Sequence, residues 1–316
     1  MILDVAAYLV FFLVVALTYA LMCLGLNLQW GFTGLFNVGV AGFVAVGAYT
    51  SAVLTTPDHP ERWGGLGLPV AVGWLGAMVA GGVAALLVGA VTLRLRHDYL
   101  AISTFGIATA IQLVALNAVR LTGGPFGIES IPRPLFGLVG GRLAYNALYL
   151  AVVAVVVAVV YLGLERLVRS PWGRVLRALR EDEAAAASLG KRAAAFRLEA
   201  FVIGSMVMAL AGAIYAHFIG YVAPEDFLPT LTFQVWTMLI VGGSGNNRGA
   251  LLGGVLVWAL WSASGALTAS VLPQAMQARG AALQVVLIGV VLAAVLVARP
   301  RGLMGEEATV SRYLRA

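Results

Sequence analysis

Long stretches without any charged side chain dominate this chain. No Asp, Glu, Lys or Arg occurs in 5–57, 63–93, 99–119, 143–164, 200–224, 227–247, 249–278 or 280–298. At about 1.5 Å per residue, each stretch but the first is long enough to cross about 30 Å of hydrocarbon once, and the first is long enough for two crossings. The pattern therefore predicts an all-α integral membrane protein, a polytopic helix bundle of about nine spans.

Glycines, prolines and polar residues divide these stretches into individual spans. The predicted spans are 5–28, 35–54, 68–93, 99–119, 143–164, 200–219, 230–241, 251–267 and 282–298. The seventh is short and ends at the Gly-rich segment 242–254, which is typical of a half-helix or re-entrant element, although an ordinary helix with a tight turn fits as well. We expect residues 1–316 to form a single transmembrane domain.

One polar segment, 165–199, holds eight of the twenty Lys and Arg residues and five of the fourteen Asp and Glu residues. Ser170 and Pro171 predict a helix start there, and Gly190 predicts its stop. Arg174, Arg177 and Arg180 recur at helical spacing on one face. Two interpretations remain open: a juxtamembrane helix held near anionic lipid, or a docking helix that passes movement from a soluble partner into the membrane.

Composition excludes a soluble globular protein. The chain is 61% hydrophobic and 11% charged, with a net charge of +6. If 165–199 faces the cytoplasm, strict alternation puts fifteen of the twenty Lys and Arg residues on that side, together with the tail 299–316. The positive-inside rule then predicts an outside N-terminus and a cytoplasmic C-terminus. Because the basic charge faces the anionic lipid bilayer, nucleic acid is not a predicted partner.

The sequence contains no motif for ATP hydrolysis and no charged residue within the spans that could bind a coupled proton. The spans carry no carboxylate or lysine for a coupled proton, so a proton-coupled carrier is disfavoured. The only lysine, Lys191, lies outside any P-loop pattern, and the only cysteine, Cys23, predicts no metal site. We therefore expect neither an enzyme nor a bound cofactor. A sodium-coupled carrier or channel, and a membrane scaffold without a pathway, remain alternatives.

Polar groups within or beside the spans are candidates for lining a pathway. These candidates are Asn27, Asn37, Thr104, Gln112, Asn117, Thr122, Gly123 and Gln234. Hydrogen bonding between helices explains each of them equally well.

Four blocks resemble, in order, the LivM-type permease subunits of branched-chain amino-acid ABC importers. The blocks are 25–54, with GLNLQWGFTGLFNVG; 98–128, with its LTGG; 178–216, with its REDEAAAASLG; and the weaker 242–254, GGSGNNRGALLGG. Each Gly-rich block alone has little specificity, but four in the same order with a matching topology are specific. The resemblance covers most of 25–254.

The resemblance implies an inner-membrane importer built from two homologous permeases, two ABC ATPase subunits that bind ATP, and an extracytoplasmic substrate-binding protein. It also implies a loop that contacts the ATPase, formed by Glu181, Glu183, Ala184, Ala185 and Gly190 together with the three arginines of 174–180. Pro125 and Phe126 depart from the small or acidic residues expected after Gly-Gly. Urea, short amides or other amino acids therefore stand beside branched-chain amino acids as expected substrates.

Overall fold

The computed structural model describes residues 2–60, 62–95, 97–138, 140–271, 273 and 277–306, so the predicted tail lies outside the described residues beyond 306. Within these ranges the chain is helical, and six helices are long and apolar enough to cross a membrane. The α-helices are α1 (Ile2–Gln29), α2 (Val40–Thr55), α3 (Val70–Thr92), α4 (His97–Asn117), α5 (Val119–Thr122), α6 (Arg142–Arg169), α7 (Pro171–Glu181), α8 (Glu183–Ser188), α9 (Ala193–Ile219), α10 (Pro229–Gly242), α11 (Asn247–Val271) and α12 (Gln277–Ala298). The architecture confirms an integral membrane helical protein with several spans.

Two long helices, α1 and α9, form the centre of the bundle. They lie antiparallel, since Gly25, near the end of α1, packs against Gly204, near the start of α9, and Phe11 packs against Phe218. Each is followed by a segment that is not α-helical, which after α9 includes the 3-10 turn Pro224–Phe227, and then by a short helix: 16 residues in α2 and 14 in α10. The chain thus contains two broken-helix units of opposite direction.

The neighbours of the two units correspond. α3 packs on α2 and α9, while α11 packs on α10 and α1. This exchange of partners is the contact pattern of an inverted repeat, in which each unit supplies the scaffold for the other's short helix.

Glycines let α2 and α9 approach closely. A Cβ on Gly47 would overlap the Ala209 carbonyl, and a Cβ on Gly212 would overlap the Val44 carbonyl. Each helix therefore places a glycine against the other's backbone, which is how small residues pack helices in lipid. The small-residue face of the predicted second span serves this contact.

Two predicted elements differ from the structure. The predicted second span begins in a helix at 35, but the backbone of 34–39 is not helical and α2 starts at Val40. The predicted helix from Ser170 to Gly190 starts as expected, with Pro171 in its first turn, but breaks at Asp182. Asp182 has extended backbone and its Oδ1 accepts a bond from the Ala185 N–H at 3.0 Å, so it ends α7 and caps α8.

Candidate functional site

Residues 34–39 replace the first turn of a helix, and side chains from distant segments satisfy their backbone. The Val38 N–H donates to Thr104 Oγ1 of α4 at 3.0 Å, and the Ala41 N–H donates to Thr232 Oγ1 of α10, also at 3.0 Å. Non-helical backbone at membrane depth is tolerated only where protein supplies such partners. The break in the helix is therefore stabilised by specific hydrogen bonds from other helices.

Asn37 is the hub of this break and is fully buried. Its Nδ2 donates to Gln29 Oε1 at 2.7 Å, its Oδ1 accepts from the Gly39 N–H at 2.7 Å, and its carbonyl accepts from Trp236 Nε1 at 2.9 Å. Gln29 in turn donates to the Phe201 carbonyl at 2.8 Å. One hydrogen-bonded network thus joins α1, the break, α9 and α10.

The N-terminal ends of the two short helices meet at this point. The Ala41–Thr232 bond joins the first turn of α2 to the first turn of α10. Helix N-termini carry partial positive charge from unpaired backbone N–H groups, which favours anions. This bond occupies the Ala41 N–H, so the favourable potential for an anion here comes from the helix dipole of α10 and its remaining first-turn N–H groups.

A cavity of about 480 Å³ begins beside the N-terminus of α10 and extends between α10, α11 and α12. It combines aromatic rings with hydroxyl and amide groups, as small-molecule sites usually do. The lining residues are Thr230, Phe233, Gln234, Thr237, Trp261, Gln284, Val285 and Gly289. The Tyr19 hydroxyl donates to Gln234 Oε1 at 3.2 Å, which orients the amide from α1.

A second polar cluster lies at the opposite ends of these elements, where α1 and α10 finish and α11 begins. Asn27 Oδ1 accepts from the Gly245 N–H at 2.8 Å, and Asn27 Nδ2 donates to Asn247 Oδ1 at 2.9 Å. Asn247 Nδ2 continues to Glu165 Oε2 at 2.9 Å, and Glu165 pairs with Arg169 at 2.6 Å. This cluster ties the 242–247 turn to α1 and α6.

The helix α7 rests on the same cluster. Its apolar side is formed by Leu176 and Leu179, which are buried as the sequence predicts. Arg180 turns inward, where its Nη1 donates to the Gly31 carbonyl and its Nη2 donates to Glu306 Oε2 at 2.7 Å. The three predicted arginines therefore divide: Arg174 is exposed, whereas Arg180 is bonded within the protein.

The remaining predicted coupling residues lie on an exposed surface around α8. Arg177 Nη2 bonds the Val168 carbonyl at 3.3 Å, and Glu183 pairs with Arg197 of α9 at 2.8 Å. The exposed members are Glu181, Glu183, Ala184, Ala185 and Gly190, the last with a φ of +77°. The segment 165–199 thus has an exposed surface around α8 and, in Arg180, a side chain bonded inside the protein.

The predicted pathway residues do not form one cluster. Asn27, Asn37, Thr104 and Thr122 are buried and hydrogen-bonded, and Gly123 caps α5 in the left-handed conformation. Asn117 is exposed with its Nδ2 on the Leu113 carbonyl at 2.7 Å, while Gln112 is half-buried near the Pro224 carbonyl. Of the eight candidates, Gln234 is the one that lines the cavity beside α10.

Three important residues escape the sequence reasoning: Gln29, Trp236 and Asn247. Gln29 and Asn247 are fully buried amides in Gly-rich breaks, so the criterion that selects Asn27 and Asn37 also applies to them. Trp236 has no such signal, because its ring is indistinguishable in sequence from a lipid-facing aromatic.

One end of the bundle is closed by two paired loops. Ile128 and Val222 exchange backbone bonds at 2.9 and 3.1 Å, and the Ala223 N–H donates to Asp226 Oδ2 at 2.9 Å. Burial raises the pKa of the Asp226 carboxyl, and the bond from Ala223 opposes this shift. This pairing and the buried Ile128 and Ile131 pack the loop between α5 and α6 onto the spans.

Residues 8–296 match the family described as branched-chain amino acid transport system / permease component. The chain is 36% identical over 261 residues to the high-affinity branched-chain amino acid transport system permease protein LivM of Escherichia coli, covering 76% of this chain and 59% of that relative. It is 28% identical to the probable LivM of Methanocaldococcus jannaschii, covering 74% and 75% of the two chains. It is 27% identical to the permease protein LivH of Salmonella typhimurium, covering 76% and 79%.

The chain thus spans about three fifths of the length of the bacterial LivM relatives that it matches. No solved structure shows a significant match.

Proposed function

The chain belongs to the permease-component family of branched-chain amino acid transport systems, and from that premise we propose that it is a membrane subunit of an ABC importer for branched-chain amino acids. In this role it provides part of the pathway and no ATP hydrolysis of its own. A separate ATPase supplies the work.

The cavity beside the N-terminus of α10 carries this proposal. A branched-chain amino acid presents a carboxylate and a compact apolar side chain. The N-terminus of α10 suits the carboxylate, and the cavity beside it offers Phe233 and Trp261 to the side chain. Broken helices at the interface of inverted repeats are the usual place for such sites in transporters.

Nine crossings with an outside N-terminus complete the arrangement that we propose. The count adds α2, α10 and the apolar segment Ala282–Ala298 to the six long helices. The loops carrying α7, α8 and the 242–247 turn then lie in the cytoplasm of a cell whose inner membrane holds the protein, and the Ile128–Val222 pairing lies outside. The partners are a second homologous permease, two ABC ATPases and an extracytoplasmic binding protein, and α7–α8 is the coupling segment.

Uptake by the reconstituted complex tests the proposal. This chain is co-expressed with a second permease and an ABC ATPase from the same cell, placed in liposomes, and supplied with loaded binding protein. We expect ATP-dependent leucine, isoleucine or valine uptake without a sodium gradient. Uptake that follows sodium and needs no ATPase would identify a secondary carrier instead. Competition by urea, acetamide or glutamate in place of leucine would reassign the substrate.

Substitution in the cavity tests the position of the pathway. Trp261→Ala removes an aromatic wall, so we expect a higher substrate concentration for half-maximal uptake of leucine with an unchanged complex. Gln112→Leu is the comparison. Gln112 is a half-buried pathway candidate like Gln234, but it does not line the cavity beside α10. Equal effects of the two variants would contradict a pathway beside α10.

A further inference from the structure

The guanidinium group of Arg180 joins α7 to both broken-helix units. The side chain is 24% exposed, and its two bonds point to different parts of the chain. One goes to the Gly31 carbonyl in the turn after α1, and the other goes to the Glu306 carboxylate after α12. Because its donors are used inside the protein, Arg180 is placed to move internal elements and not to contact a partner's surface.

The first bond leads to the break before α2. Gly34 opens this break with a φ of +74°, and a Cβ there would lie 3.1 Å from Arg180 Cγ, so α7 rests directly on its backbone. Gly31 packs on Asn27, which also bonds the Gly245 N–H. A displacement of α7 therefore acts on the start of the extended segment that ends at α2.

The second bond leads to α10 through the segment 301–306, which we term the C-terminal strap. The Leu303 N–H donates to the Val241 carbonyl and the Met304 N–H donates to the Gly242 carbonyl, both at 2.9 Å. These two carbonyls end α10. The strap is thus bonded to the last turn of α10 and reaches α7 through Glu306.

We propose that Arg180 is a positioning residue that transmits movement of α7 to α2 and α10 together, through Gly31 and through the C-terminal strap. The inference rests on the proposed function, because α7 moves only if an ATPase acts on it. Arginine suits the task, since its planar fork holds two acceptors in a fixed relation. A lysine ammonium keeps the charge without that geometry.

The ratio of leucine imported to ATP hydrolysed in the reconstituted complex tests the relay. We compare wild type, Arg180→Lys, Arg180→Gln and Glu306→Gln, with Arg299→Gln as a matched loss of one exposed arginine near the strap. For the three relay variants we expect the ratio to fall about fivefold or more, which is the lower end of usual coupling strengths. ATPase binding and melting temperature should stay near wild type, and Arg299→Gln should keep the wild-type ratio.

The charge-exchanged pair Arg180→Glu with Glu306→Arg separates the relay from a simple ion pair. The exchange restores opposite charges but puts a carboxylate against the Gly31 carbonyl, so we expect no recovery of the ratio. Full recovery, or a wild-type ratio in Arg180→Lys and Arg180→Gln, would overturn the relay while leaving the importer intact. A wild-type complex that neither transports nor hydrolyses ATP would overturn the proposed function and the relay with it.

Discussion

The close approach of α2 and α9 makes Gly47→Ala an informative substitution. The added methyl group would overlap the Ala209 carbonyl oxygen, and the reciprocal contact of Gly212 with Val44 leaves the helices no room to slide. Backbone atoms cannot rotate away as a flexible side chain can. The helices must therefore separate, which disturbs the Ser51–His217 bond of 2.8 Å farther along the same interface.

Two opposing effects set the size of the change. Alanine is favoured over glycine inside a helix by about 1 kcal/mol. Overpacking costs about 1–3 kcal/mol, and the upper end applies because the obstacle is backbone. We expect a net loss of about 2 kcal/mol, which by the scale for soluble domains lowers the melting temperature of a chain of 316 residues by roughly 3 °C.

The chain contains its own reporter for this measurement. Its single cysteine, Cys23, is fully buried in α1. A thiol-reactive fluorogenic dye therefore reports unfolding as the purified, monodisperse protein is heated in detergent. Gly163→Ala on α6 is the matched control, because no atom lies within 4 Å of its added methyl group. The control should melt at or slightly above wild type, because alanine is the better helix former. A Gly47→Ala protein that melts no lower than wild type would refute the contact argument.

Three further substitutions test separate parts of the structure. Asn37→Ala leaves the buried Gly39 N–H and Gln29 Oε1 without a partner, so we expect a loss of about 1–3 kcal/mol, measured by the same dye assay. Glu183→Arg replaces the partner of Arg197 by a like charge on the predicted coupling surface. We expect it to uncouple ATP hydrolysis from transport while leaving the protein inserted, and wild-type transport would contradict the coupling role. Burial raises the pKa of Asp226, so the folded state binds that proton more tightly than the unfolded state. Stability should therefore fall as pH rises from the ordinary carboxyl pKa to the raised one, and Asp226→Asn should remove that slope while keeping the bond to Ala223.

The sequence predicts the helices better than it predicts their breaks. Charge-free runs locate every long helix because hydrocarbon excludes charged groups whatever the neighbours are. The segment 34–39 reads as helix because it is mostly apolar, yet its Val38 N–H is taken by Thr104, and the Ala41 N–H just after it is taken by Thr232. Those partners lie far away in the chain, so no local pattern reveals them.

The candidate site is likewise predicted only in part, because local sequence identifies polar residues but not their distant partners. Polarity in a span correctly marks Asn27 and Asn37 as unusual, but cannot distinguish an internal bond from a pathway wall. In the structure Gln234 lines a cavity and also accepts a bond from Tyr19, whereas Asn27 joins α1 to the 242–247 turn. The sequence could have predicted the break at Asp182, because aspartate is a preferred N-cap residue and the segment after it, 183–188, begins a new helix.

The break before α2 also bears on how the chain is made. Segments enter the bilayer in order from the ribosome, so α2 is synthesised before either threonine that satisfies its entry. The Val38 N–H has no acceptor until α4 is made. The Ala41 N–H has none until α10 is made, nearly two hundred residues later in the chain. Until α10 inserts, the start of α2 exposes a backbone donor to lipid or to trapped water. The unit formed by α1 and α2 therefore completes its hydrogen bonds only when α10 has been made. We expect a chain truncated before α10 to be recognised as misfolded and degraded.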